Sequence, residues 1–382
     1  MRTEFETASE NAALREAIVA RIQSQGPIPF RDFMEAALYH PQHGYYRSRR
    51  EKMGREGDYL TSPEVSPAFG VLVGRQLREM WQAMGTAQRL DVVEAGAGTG
   101  RLCRDILRWA RGHAPDFRDA FTYTIVEVSD ALVQRQREVL AEEAEDVRWS
   151  AELPDDIEGC LLSNELLDSF PVHRVAVRDG ELMEVFVGWD GARFVEELRP
   201  PSTPEIAAYF RRLGLLPGEG CRAEVNLAAA QWMGRAGRAL RRGFVLTFDY
   251  GYEAEELYAP WRSDGTLLCF YRHNPSGDPY ARLGRQDVTS HLDFTTLRQA
   301  GEEAGLQTLA LVSQSEFLTN LGIAEALAPP GEGDVNLEEY YARRRAVSEL
   351  IDPAALGRIR VLVQAKGVGH PRLTGLEGEL DG

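Results

Sequence analysis

The stretch VVEAGAGTGRL, Val92 to Leu102, constrains the chain more than any other. An apolar run, LDVVEAG, enters three glycines at alternate positions, Gly96, Gly98 and Gly100. RLCRDILRWAR follows, with Leu102, Ile106, Leu107 and Ala110 on one helical face. That order predicts a buried strand, a sharp bend and an amphipathic helix. A helix start leaves backbone N–H groups without partners, and glycines let a ligand approach them closely. The next apolar run, YTIVEVS over 123–129, carries Glu127 near its end, and DALVQRQREVLAEEA reads as a helix capped by Ser129 or Asp130. An acid there can accept hydrogen bonds from both ribose hydroxyls of an adenosyl ligand. A dinucleotide bend wants G-x-G-x-x-G, but here the third glycine comes one residue early and Arg101 stands in its place. A dehydrogenase therefore survives only as the alternative on glycines alone. A tight turn without a ligand is the bland reading.

The alternation continues. GCLLSNELLDSF is a third apolar strand, breaking at Ser163-Asn164, and β-α-β-α-β predicts a parallel, doubly wound sheet. Residues 172–198 depart from this rhythm. Asp179-Gly180 and Asp190-Gly191 separate β-like runs, so the segment predicts an inserted antiparallel meander. A helix starts at Thr203-Pro204, EVNLAAAQWMGRAGRALRRG reads as another, and FVLTFDYG returns to the sheet. DFTTLRQAGEEAG is a helix capped by Asp293; LQTLALVSQ and RIRVLVQAKG are closing strands. EALAPPGEGDVN reads as a linker or lid, and the tail after Gly367 as loose.

Ahead of the sheet, residues 8–25 form a helix, and Asp32 starts a short one ending before Pro41. HGYYRSRREKMGREGDYLTSPEVSPAFG is a long loop, which in a compact domain points to function, and Tyr45, Tyr46, Tyr59 and Leu60 anchor it. Residues 67–84 are an amphipathic helix. The expected division is 1–85, an N-terminal segment and covering loop; 86–170, the first half of the core; 171–240, the meander and helices on a substrate side; and 241–382, the second half of the core.

The net charge of −16 argues against non-specific binding to nucleic acid or anionic membrane. Cys103, Cys160, Cys221 and Cys269 are widely spaced, with no CxxC and no Cys/His cluster, so no metal is expected. The first residues, MRTEFETASENAALREAI, lack an apolar leader core and carry acids, and no run of eighteen apolar residues occurs. The expectation from these is a cytoplasmic protein without a membrane span. Oligomeric state is not read from these features.

E-x-G-x-G-x-G, Glu94 to Gly100, is similar to the first motif of class I methyltransferases, whose ligand is S-adenosylmethionine. That resemblance implies a Rossmann-like seven-stranded sheet and assigns Glu94, Gly96, Ala97, Gly98, Gly100, Glu127 and Val128 to the cofactor. It also implies that the methyl group faces the loop after the fourth strand. Here that loop is SNELLDSFPV, with Asn164, Glu165 and Asp168. Glu165 and Asp168, three apart, share a face on one helical turn. Such acceptors would orient a nucleophilic nitrogen, and paired carboxylates suit a guanidinium, which is charged at neutral pH. Asn164 capping an ordinary helix is the bland reading.

Several stretches in order resemble the MidA-like methyltransferase family, which includes the mitochondrial complex I assembly factor: HPQHGYY (40–46), GREGDYLTSPEVSPAFG (54–70), VVEAGAGTG (92–100), SNELLDSFPVHRV (163–175), FDYGY (248–252), GTLLCFYRH (265–273) and DVTSHLDF (287–294). The resemblance implies S-adenosylmethionine as cofactor and, in eukaryotic members, a protein arginine as acceptor. It implies that Thr61, Ser62, Pro63 and Glu64 lie over the cofactor, and that Asp249, Tyr250, His291 and Asp293 line the acceptor side. Helix capping for Asp293 and a satisfied core position for His291 stand beside those roles. The family often has an acid where this chain has Val71. A respiratory NADH dehydrogenase subunit is one expected protein acceptor. A small-molecule methyltransferase and a non-catalytic assembly protein are the competing functions.

Overall fold

A computed structural model of the chain describes residues 10–48, 52–54, 57–87, 89–327 and 336–377. Two compact units emerge. One comprises Leu60–Leu166, Met233–Tyr250 and Arg298–Gly382; the other comprises Met1–Tyr59, Leu167–Trp232 and Gly251–Leu297.

The first unit is built on a seven-stranded sheet. Its strands in chain order are β1 (Leu90–Ala95), β2 (Phe121–Val126), β3 (Val147–Ser150), β4 (Ile157–Asn164), β5 (Leu240–Asp249), β6 (Gln307–Ser313) and β7 (Arg360–Lys366). They lie in the order β6-β7-β5-β4-β1-β2-β3. β1 to β5 are mutually parallel, and β7 runs antiparallel to both β5 and β6. Their apolar runs match this placement: Val92, Leu161, Leu162, Phe244, Leu246, Val361 and Val363 are buried. The register aligns Ala95 with both Val126 and Ser163, and Asn164 with Phe248. The carboxyl ends of the central strands therefore come level, where open α/β sheets bind ligands.

The tail is not loose as far as Glu377. Leu373 is buried, a short helix spans Thr374–Glu377, and the Gly375 amide donates to the Gln76 side chain at 3.0 Å. Glycine is needed there, because a Cβ would come within 2.5 Å of both Gln76 and Phe317. Residues 378–382 lie outside the described residues, as do 328–335 of the expected linker or lid.

In the second unit the meander is present as His173–Arg178, Glu181–Trp189 and Phe194–Arg199, all antiparallel. Asp179 and Gly180 both take positive φ, 53° and 75°, as a tight two-residue hairpin turn requires. Ile28–Pro29 and Arg222–Val225 complete this sheet. The last two residues of the latter, Glu224 and Val225, fall in the segment that the sequence pattern assigns to a helix. The observed helix starts at Leu227, with the Asn226 side chain accepting from the Ala229 amide at 2.9 Å. The first described helix is Ala12–Gln25, capped by Asn11, with Leu14, Ile18 and Ile22 buried; residues 1–9 are outside the described set. The next, Phe30–Tyr39, begins after Pro29 and carries Asp32 in its first turn instead of at its cap. The long loop is tied down as its tyrosines suggest: Tyr45 is fully buried and its hydroxyl donates to Asp58 at 2.9 Å.

Candidate cofactor and acceptor site

Within the first unit the glycine bend forms as the sequence demands. Gly96, Gly98 and Gly100 have φ of 68°, 55° and 87°, the left-handed region that side chains avoid. The Gly96 amide donates to Val126 O at 3.0 Å, locking the bend to the end of β2. Gly100 caps the helix Arg101–His113. A Cβ on Gly96 would lie 2.6 Å from Leu166 Cδ1, so the missing side chain also lets the loop after β4 close against the bend.

Three acids surround this feature. Glu94 is buried at the end of β1 and accepts from the Tyr123 hydroxyl at 2.7 Å. Burial pushes its carboxyl up to about 7; the Tyr123 bond pulls the other way, and the Glu127 charge adds to the rise. Glu127 accepts from the Ser129 amide at 2.8 Å and from the Gln136 amide at 3.3 Å. Beside it, Val128 is 55% exposed. Glu64 reaches the bend from the TSPE segment: it hydrogen-bonds the Thr99 hydroxyl and pairs with Arg101 Nε at 2.9 Å. Thr61 and Ser62 are buried, and the Ser62 hydroxyl donates to Gln314 Oε1 at 2.9 Å. Pro63 falls in the single helical turn Ser62–Val65.

At the end of β4 the arrangement differs from the expected helical turn. Glu165 has φ 48°, and its amide donates to Phe248 O of β5 at 2.8 Å. A left-handed residue cannot continue a helix, and a short 3-10 turn begins only at Leu167. Glu165 and Asp168 therefore do not share a helical face. Asp168 belongs to the second unit, where its carbonyl accepts from the Ser290 amide at 2.9 Å. The Glu165 carboxylate instead accepts at Oε1 from the Ser62 amide, 3.2 Å, and from Asn164 Nδ2, 3.1 Å. Burial pushes it up to about 8; those two bonds lower it and the Asp249 charge raises it. Asn164 is 9% exposed, and its Oδ1 is buried with no hydrogen-bond partner. Asp249 is fully buried at the end of β5 and accepts from the Tyr250 amide at 2.8 Å. The Arg358 guanidinium stacks over the Tyr250 ring at 5.5 Å.

His291 and Asp293 lie in the second unit. The His291 amide donates to Thr266 Oγ1 at 3.0 Å, and its ring stands 5.3 Å from that of Tyr252. Asp293 accepts from the Thr295 and Thr296 amides at 2.9 and 3.2 Å, from Thr296 Oγ1 at 2.5 Å and from the Tyr209 hydroxyl at 2.7 Å. This is a saturated helix cap. One residue absent from the sequence reading stands out at the cofactor end: Gln136, fully buried, donates to Gly98 O at 3.0 Å as well as to Glu127. The available signal was a polar residue four before Leu140 on the inward face of its helix.

A sheet of this order, closed by one antiparallel strand, with a glycine bend after β1 and an acid after β2, defines a class I S-adenosylmethionine-dependent methyltransferase. The chain belongs to the family described as "Putative S-adenosyl-L-methionine-dependent methyltransferase", whose model matches residues 72–312. It is 30% identical to the "Protein arginine methyltransferase NDUFAF7 homolog, mitochondrial" of Drosophila melanogaster, across 94% of this chain and 86% of that protein. It is 31% identical to "Protein arginine methyltransferase NDUFAF7, mitochondrial" of Mus musculus, across 80% and 73%. A crystal structure from Burkholderia thailandensis, titled a "likely methyl transferase" and "bound to S-adenosyl-homocysteine", superposes with a TM-score of 0.88 at 34% identity, across 98% of this chain and 97% of that one. The enzyme's cofactor is S-adenosyl-L-methionine.

The cytoplasmic setting expected from composition does not stand. The relatives of Drosophila melanogaster, Mus musculus and Homo sapiens are named mitochondrial proteins. Separated cysteines speak of a reducing environment, and that does not single out a compartment. Among the described residues no helix is long and apolar enough to cross a membrane.

Proposed function

We propose that the protein N-methylates arginine on a protein acceptor. The carrying observation is the end of β4: a Glu165 carboxylate raised by burial, beside an Asn164 Oδ1 that is buried and unpartnered, with Asp249 in charge contact. Two carboxylates and a neutral acceptor suit a group that is planar, cationic and rich in N–H donors. The names of the relatives support the same acceptor.

The glycine bend fits an adenosyl ligand without pyrophosphate. Glu127 would hold the ribose, Val128 would offer apolar surface to the adenine, and Glu94 would stand nearest the amino-acid end. Thr61, Ser62 and Pro63 would cover the cofactor. Bound S-adenosylmethionine supplies an activated methyl group on a sulfonium. Asn164 and Glu165 would hold the guanidinium so that one nitrogen faces that methyl. As that nitrogen is methylated, Glu165 would take the proton it gives up. Positioning supplies much of the rate, up to ~7–11 kcal/mol in favourable cases. The acceptor is to be sought first among respiratory NADH dehydrogenase subunits, as the family resemblance suggests.

The test is transfer of labelled methyl from S-adenosylmethionine to proteins of a matched cell extract, followed by acid hydrolysis and amino-acid analysis. Label in methylarginine is the expected result. Label in another residue, or in a small molecule only, would overturn the acceptor assignment.

A further inference from the structure

Gln136 presents a set of contacts that only one orientation satisfies. Its Oε1 accepts from Trp149 Nε1 at 3.1 Å, and its Nε2 donates to Gly98 O at 3.0 Å and to Glu127 Oε2 at 3.3 Å. An indole N–H only donates, while a carbonyl and a carboxylate only accept, so the amide cannot be flipped. The amide is fully buried, where an unmet partner is costly. Gly100 makes room for this approach: a Cβ there would stand 3.4 Å from Gln136 Cγ and 3.2 Å from Leu140 Cδ1. A single side chain thus spans the glycine bend, the acid after β2 and the indole at the end of β3.

We infer that Gln136 is a positioning residue for the cofactor: it aims the Glu127 carboxylate and holds the Gly98 carbonyl, so that both ribose hydroxyls meet a preset acceptor. This rests on the reading of Glu127 as the ribose acceptor. With Oε2 engaged by Gln136 and Oε1 by the Ser129 amide, the carboxylate plane is fixed from both sides. A ligand then meets an acceptor already oriented, and the ordering cost of binding falls.

The experiment is calorimetric titration of the full chain with S-adenosylhomocysteine and with its analogue lacking both ribose hydroxyls. Gln136→Met keeps the volume and removes both donors. Gln136→Glu keeps the acceptor for Trp149 and sets a carboxylate against Glu127, so it decides the matter if the methionine variant does not fold. Either variant is expected to weaken S-adenosylhomocysteine about tenfold, as loss of one hydrogen bond to a charged group does, and to leave the analogue within about twofold of wild type. Equal weakening of both ligands would show a general structural role and overturn the inference. Glu127→Gln separates the two layers. If it weakens S-adenosylhomocysteine while both Gln136 variants bind as wild type, the inference fails and the ribose reading stands. If Glu127→Gln has no effect, the ribose reading fails and takes the inference with it.

Discussion

Two carboxylates at the ends of strands, the half-buried Glu165 and the buried Asp293, show opposite uses of the same group. Asp293 opens a helix and accepts four hydrogen bonds shared over both oxygens. Glu165 sits on a left-handed residue, takes two donors on one oxygen, and has its carboxyl pushed up to about 8. A saturated acid has spent its acceptor capacity on the fold. An acid kept short of donors, beside an unpartnered amide oxygen, is poised for chemistry.

The sharpest test of that contrast is Glu165→Gln. Methyl transfer is expected to fall by about 10²–10⁴, the range for loss of a general base, with S-adenosylhomocysteine affinity near wild type. An undiminished rate would remove Glu165 from the acceptor site. The wild-type profile adds a sign: Glu165 in the free enzyme is protonated below about 8, so kcat/KM is expected to climb with pH towards that value.

Next in size, Gly98→Val places a β-branched residue at φ 55° and is expected to weaken S-adenosylhomocysteine by about 100-fold or more. Gly98→Asn tolerates the same φ and separates crowding from backbone strain. Full affinity in both variants would detach the bend from the cofactor.

Asp293→Ala should act on stability instead. Loss of the cap and of the acceptor for Tyr209 is expected to cost about 2–3 kcal/mol in denaturant unfolding. A fall in turnover of the folded enzyme as deep as that of Glu165→Gln would erase the distinction between the two acids.

The smallest effect concerns Glu94. Its carboxyl is held at about 7 in the folded protein against an ordinary 4.5. The folded state therefore binds more protons between those values, and this group's contribution to stability falls as pH rises across that window. Glu94→Gln keeps an acceptor for Tyr123 and cannot ionise. Its unfolding free energy relative to wild type, from denaturant titrations, is expected to rise between pH 5 and 7 and then level off, with a slope of at most about 1.4 kcal/mol per pH unit. A flat difference would place the titration elsewhere.

The features legible in the sequence are those with a local period. The strand-glycine-helix unit at 90–113 and the hairpin at Asp179-Gly180 each declare themselves within a short continuous stretch of chain. What stayed hidden depends on distant partners. The conformation of Glu165 answers to the Phe248 carbonyl, Gln136 to Gly98 and Trp149, and the tail to Gln76. Glu165 and Asp168 look like neighbours on a helix only until one left-handed residue intervenes. The strand Arg222–Val225 was masked by the helix that follows it, because four residues are too few to show an alternation.

The antiparallel β7 carries a consequence for how the molecule is made. Among the described residues it is the last strand of its sheet in chain order, yet it lies between β5 and β6 and supplies the pairing that joins them. A ribosome that has released everything up to about residue 350 has therefore made a sheet with an open seam, two unpaired strand edges waiting for seven residues still to come. Such edges invite pairing with other chains. Truncation ahead of Arg360 should leave an insoluble polypeptide even though every residue of the glycine bend and of the β4 loop is already present. For this protein, a strand made after the others of its sheet decides whether that sheet survives.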